Sequence, residues 1–251
     1  VRPFQAKKKH YVAHLDGFEA QVVAQLAADV AELLGASPAQ ILEALGGLAE
    51  DDAGQGEGAS LRGGRADDGA PGAEDGPEPR DPWDLPVLGA LESAALGMDP
   101  SEAPEAPEVP LDPALRRLLP SASEDPEVAA EFRRFTQVDL RGLKVARLLA
   151  LVRALDQGKE KGRLRVPKDR ADLLAGALVD IRLVLAERLG LDTDEAADAL
   201  YEELAAAEAG KRPQSSGEAL RLHLAAAYSA LTWLQESLVT AQLADLDASD
   251  A

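Results

Sequence analysis

The 251-residue chain contains no cysteine. That single absence excludes structural disulfides, thiolate zinc sites, iron–sulfur clusters, cysteine nucleophiles and any thiol redox switch of its own. Histidine is scarce too, with His10, His14 and His223 making three in all. None stands with a Ser, Cys or Asp in a catalytic or metal-ligating pattern. Aromatic residues make up 4% of the chain against 46% hydrophobic residues overall. The core must therefore be built from Leu, Val and Ala, a composition that suits packed helices better than a sandwich. Long apolar runs are missing as well: no window approaches the roughly 18 residues of a spanning helix. The opening Val1-Arg2-Pro3-Phe4 leads into Lys7-Lys8-Lys9 with no apolar signal region behind it. The expectation is a cytoplasmic protein, its Val1 standing at an alternative start codon.

Positive charge is the remaining shortage. Lys plus Arg number 26 against 45 Asp plus Glu, a net charge of -19, so the long-range field repels phosphate and anionic lipid. The excess is concentrated. Residues 50–112 carry 17 acids against Arg62, Arg65 and Arg80, a net -14, and 19 of these 63 positions are Gly or Pro. Such a stretch cannot offset the roughly 1 to 2 kcal/mol per residue of backbone entropy lost on ordering. It reads as a disordered acidic insert dividing the folded parts 1–49 and 113–251. One apolar island interrupts it, Trp83-Asp84-Leu85-Pro86-Val87-Leu88 with Ala90, Leu91 and Leu96. This island is either an anchor that returns the insert to the body or a linear motif for a partner.

Helices dominate the rest. His10 to Leu15 alternates as a short strand. Asp16, with Glu19 three residues on, then caps a helix carrying Phe18, Val22, Leu26, Val30 and Leu33 at helical spacing. Ser37-Pro38 opens a shorter helix. Beyond the insert, a turn of helix at Pro113–Leu119 precedes a long helix from Pro126 to about Asp156. Arg163 to Val166 alternates as a second strand, expected to pair with the first. Asp169 reads as the cap of the next helix, Asp192-Thr193-Asp194-Glu195 as a capping box for another, and the last follows the polar loop 211–217. Its Leu220, Leu224, Tyr228, Leu231, Leu234 and Leu238 form a stripe expected to be buried. The predicted fold is all-α, a bundle of five or six helices with a minor two-stranded β element and the acidic insert.

The most suggestive feature is basic. From Pro113 to Arg170 there are 14 Lys plus Arg and 8 Asp plus Glu. On a continuous helix Arg133, Arg134, Arg141, Lys144 and Arg147 fall within an arc of roughly 140°. Three readings stay open: a solvated helix face, a dock for an acidic protein surface, or a nucleic-acid contact that lacks interleaved aromatics. The -14 insert, tethered beside this arc, would also compete for it at millimolar effective concentration. The acids Asp192, Asp194, Glu195, Asp198, Glu202 and Glu203 lack a glycine-bearing calcium loop, so capping and a solvated face account for them. Gly54, Gly56 and Gly58 lie among acids with no strand before them and form no phosphate loop. No cofactor or metal is expected. Trp233 either packs between helices or meets a partner.

Three segments carry a resemblance: Pro126-Glu127-Val128-Ala129-Ala130-Glu131-Phe132-Arg133-Arg134-Phe135-Thr136, then Asp180-Ile181-Arg182-Leu183-Val184-Leu185 with Arg188-Leu189-Gly190, and Tyr228 to Leu238. With Arg2-Pro3-Phe4 and the passage Leu15 to Leu26, they resemble an actinobacterial family of unknown function associated with the actinomycete oxidative-stress regulator AosR. The resemblance spans the chain except the long insert. It implies a non-enzymatic cytoplasmic regulator that acts through a stress-response sigma factor or RNA polymerase; the helical arc of Arg133, Arg134, Arg141, Lys144 and Arg147 is then the expected contact stripe. Family members are implicated in redox sensing through cysteine pairs, and this chain departs from them in having none. A protein-binding adaptor or scaffold in another cytoplasmic process, such as regulated proteolysis, is the alternative.

Overall fold

A computed structural model describes residues 1–45, 81–85 and 105–249. Three strands come in chain order as β1 (Arg2–Ala6), β2 (His10–His14) and β3 (Arg163–Pro167). Seven helices lie among the described residues: α1 (Gly17–Leu33), α2 (Pro38–Ala44), α3 (Pro113–Leu118), α4 (Pro126–Gly158), α5 (Ala171–Leu189), α6 (Asp194–Glu208) and α7 (Ser216–Ser249). The expected helical bundle is present, with one helix more than the upper expectation. The expected pairing of the two strands is present too, antiparallel, with Val12 opposite Arg165 and His14 opposite Arg163.

The sheet has a third member. β1 pairs antiparallel with β2 on its other side, giving the order β1-β2-β3. Its sequence, Arg-Pro-Phe-Gln-Ala, hides it: a proline sits inside it, Phe4 alone is buried, and the register shifts between Arg2 and Gln5. Proline on an edge strand forfeits a donor that faces away from the ladder, which is why it is tolerated there. The opposite edge is covered. Trp83 is 1% exposed and donates its indole N–H to the Arg165 carbonyl at 3.0 Å. Leu85 is buried beside it in the same core. An unpaired strand edge is a template for unwanted pairing, and the indole both occupies it and seals it from water. Trp83 to Leu85, the start of the island, is thus an anchor. Pro86, Val87, Leu88, Ala90, Leu91 and Leu96 lie outside the described residues, as does most of the expected disordered insert.

Several helix starts follow the sequence chemistry. Asp16 and Glu19 form a reciprocal capping box on α1, and Ser37 and Gln40 form another on α2, each satisfying two of the orphan N–H groups of a first turn. Two expectations fail. Asp169 lies inside a 3-10 turn (Lys168–Arg170), and α5 begins at Ala171 with no side-chain cap. At α6 the cap is Thr193 alone, accepting from the Ala196 N–H.

Residues of β1, α1, α2, the 83–85 anchor, α4, β3, α5 and α7 share one hydrophobic core. The parts on either side of the insert therefore fold as one body. α5 is its axis, buried on α4, α1, α3 and α7. Gly158, ending α4, shows how tightly the sheet abuts the bundle, since a Cβ there would lie 1.8 Å from the Arg163 carbonyl oxygen. α6 stands apart. Leu200 is its one buried residue, held in a satellite cluster with Leu189 and Ala225.

Candidate interaction site

The five cations of the expected stripe do not form a solvent-facing row. Asp180 of α5 is 0% exposed, and two of the five converge on it. Lys144 Nζ donates to Asp180 Oδ1 at 2.5 Å, while Arg147 donates to Oδ2 through Nε at 2.8 Å and Nη2 at 2.5 Å. Gly176, one turn before Asp180 on the same face, makes the room: a Cβ there would sit 2.3 Å from Arg147 Nη1. Burying charge is tolerated when it is paired and hydrogen-bonded, and all three groups meet that condition. The contact stripe is corrected accordingly. Lys144 and Arg147 hold α4 against α5 and are not available to a partner.

The other three are half-buried and used locally. Arg141 Nη1 reaches the Leu34 carbonyl at 3.5 Å, placing a cation at the C-terminal end of α1 where the helix dipole favours it. Arg133 Nε donates to the Pro107 carbonyl at 3.3 Å, and the Arg134 guanidinium sits 5.2 Å from the centre of the Phe135 ring. The basic arc of the wheel is thus largely the face by which α4 packs on its neighbours. The missing signal in the sequence was the acid that pairs with it, which lies more than thirty residues away.

Unpaired positive charge instead collects on the outer face of the sheet. Arg2, His14 and Arg163 stand side by side across the three strands, and Arg165 opposes Val12 in the next row. Lys7, Lys8 and Lys9 form the exposed β1–β2 turn. Among the described residues, none of these lysines and arginines has a carboxylate within ion-pair distance. His10 borders this face, and burial, reinforced by the neighbouring Arg165 and Lys9, lowers its pKa below 6.5 against the opposing pull of Asp81 and Asp169.

The largest surprise for the sequence reading is Phe18. It opens the most regular apolar stripe of α1, yet it is 67% exposed. The core face of α1 is mainly the neighbouring row, Ala20, Val23, Ala27 and Ala31, joined by Val30 from the stripe itself. Phe18 faces outward instead, and with the half-buried Val22 and Leu26 it lines a gap toward Leu222, Ala226 and Ala230 of α7. Both helices lean on α5 and leave a trough between them, closed at one side by Leu204 and Ala207 of α6. Its volume is about 510 Å³. The lining is apolar but for Glu19, Glu208 and His223, and it holds no lysine or arginine. The stripe expected on α7 splits in the same way: Leu231, Leu234 and Leu238 are buried, whereas Leu220 is exposed. Trp233 is 40% exposed and lines a different cleft, beside Pro3 and Phe4.

The body is thus helical with a small sheet and carries an open apolar trough between α1, α6 and α7. Residues 1–242 match the family model described as a domain of unknown function, DUF2017, and the chain belongs to that family. No curated protein and no solved structure matches it. Among the described residues no helix is long and apolar enough to cross a membrane, and no group of three or more His, Asp or Glu is placed to hold a metal ion.

Proposed function

We propose that this chain is a non-enzymatic cytoplasmic regulator that works by protein–protein contact, its partner a stress-response sigma factor or RNA polymerase. One observation supports contact as the mode of action: the open trough between α1, α6 and α7, where Phe18 is left exposed beside Val22, Leu26 and Leu222. Leaving Phe18 largely in water and the aliphatic side chains beside it half-buried forfeits part of the about 1.5 to 3 kcal/mol that fully burying each large one would supply. A cluster of such residues marks an interaction surface.

The partner class comes from the resemblance of Pro126 to Thr136, Asp180 to Gly190 and Tyr228 to Leu238 to the actinobacterial family associated with AosR. With no cysteine in the chain, the oxidative-stress signal reaches it through the state of the partner.

Capture of a purified stress-response sigma factor and core polymerase on the immobilised full chain, at two salt concentrations, tests this. Ala226→Arg, at an exposed position in the trough, should cut capture about tenfold or more with the far-UV circular dichroism unchanged. No capture by the unmodified chain would overturn the partner assignment. Capture untouched by Ala226→Arg but lost in the Arg134→Glu/Arg141→Glu double variant would move the contact to α4.

A further inference from the structure

We infer that the occupant of the trough is a short amphipathic helix with a basic flank, an assignment that rests on the trough being the contact surface. Shape is the first argument. Phe18 to Leu26 on one wall and Leu222 to Ala230 on the other each span nine residues, a rise of about 12 Å over eight steps of 1.5 Å. This length matches two to three turns of a guest helix. Ala226, Ala227 and Ala230 line the α7 side and Ala207 the α6 side. Small residues let a backbone cylinder approach closely, while Phe18, Leu26, Leu204 and Leu222 supply the large side chains between which apolar anchors at i, i+3, i+4 and i+7 insert.

Charge is the second argument. α6 carries six acids and no lysine or arginine. Glu208 lines the trough, and Asp194, Asp198, Tyr201 and Ala205 continue its row at alternating four- and three-residue spacing. Tyr201 is 44% exposed in that row. On the other side of α6, Glu203 is taken up by Arg221, whose Nε lies 3.0 Å from it. Among the described residues, no lysine or arginine lies within ion-pair distance of Asp194, Asp198 or Glu208. Glu19, on the α1 wall, is already engaged by the Asp16 backbone N–H at 2.8 Å and by the Val1 amino group. The lining carboxylates, Glu208 on α6 and Glu19 on α1, thus meet no lysine or arginine along the apolar floor, in a chain of net charge -19. That field speeds the approach of a basic segment and disfavours an acidic one of the same hydrophobic pattern.

The experiment uses the full chain and fluorescein-labelled peptides of about 14 residues, near the minimum for appreciable helix. One carries Leu at i, i+3, i+4 and i+7 with Lys elsewhere, its twin has Glu for every Lys, and a third scrambles the Leu positions. Fluorescence anisotropy at two salt concentrations should show the Lys peptide binding at least about tenfold more tightly than either control. Ala226→Trp should abolish that binding without altering the helical spectrum, which separates occupation of the trough from general attraction to an acidic chain. Glu208→Lys should narrow the preference for Lys over Glu. Equal binding of the Glu twin or the scrambled peptide, or Lys-peptide binding unmoved by Ala226→Trp, would overturn the inference. So would a dimer, seen by light scattering, that Ala226→Trp dissolves, since the occupant would then be a second copy. If Ala226→Arg abolishes capture of the sigma factor or polymerase while the peptides show no charge preference, the contact surface stands and only the basic helix fails.

Discussion

Two charged helices of this protein, α4 and α6, look alike on a helical wheel and do opposite things. α4 gathers its cations on one arc, and the arc turns inward: Lys144 and Arg147 close on Asp180, and Arg141 reaches the end of α1. α6 carries acids alone, buries one leucine and keeps its carboxylates at the surface, with Glu208 at the rim of an apolar trough. The difference is the presence of a counter-charge on the facing helix. A charged stripe is a surface only when nothing opposite neutralises it, and α5 presents Asp180 and the Gly176 slot to α4 while the trough presents alanine and leucine to α6.

The sharpest way to break the contrast is Asp180→Ala. It leaves Lys144 and Arg147 facing a buried void with no anion, and unfolding in urea should show a loss of about 3 to 5 kcal/mol. Gly176→Val attacks the same site sterically, displacing the Arg147 guanidinium from its slot. The expected cost by the same measurement is about 1 to 3 kcal/mol, the usual range for overpacking.

Neutralising the α6 row by Asp198→Asn with Glu208→Gln should leave stability within about 0.5 kcal/mol, as expected of exposed groups. The same pair of substitutions should flatten the salt dependence of Lys-peptide binding seen by anisotropy. The smallest effect concerns the sheet. The folded His10 pKa lies below the ordinary 6.5, so the unfolded chain binds the extra proton first as pH falls. The neutral His10 therefore contributes stability above pH 6.5 that is lost as pH falls from there through the folded pKa. A proton NMR titration should place His10 below 6.5, and in Arg165→Gln, which removes one of the two cations beside it, its pKa should rise.

Much of the fold was legible. The capping box at Asp16, the cap at Ser37, the long α4 and the pairing of His10–His14 with Arg163–Pro167 are read from local chemistry, because caps and alternation depend on near neighbours. β1 escaped because a proline-bearing edge strand with one buried side chain has no period to detect. The site was legible only in pieces. Phe18, Val22 and Leu26 stood out as a stripe, but α1 is apolar around most of its circumference, and the alanine row proved the better fit to α4 and α5. Large side chains on the competing row were left outside, where they line the trough.

The sequence by itself determined the class of the molecule: cysteine-free, aromatic-poor, helix-rich, acidic, and built from short-range caps and periodic apolar residues. Only the tertiary structure decided which stripe is core and which is surface, which cations are paired, and that Trp83 seals a strand edge 82 residues away. Composition and periodicity report what a residue is and which helical face it shares. Burial and charge pairing depend on what arrives opposite that face, and at α4, α1 and β3 the facing element comes from a distant part of the chain.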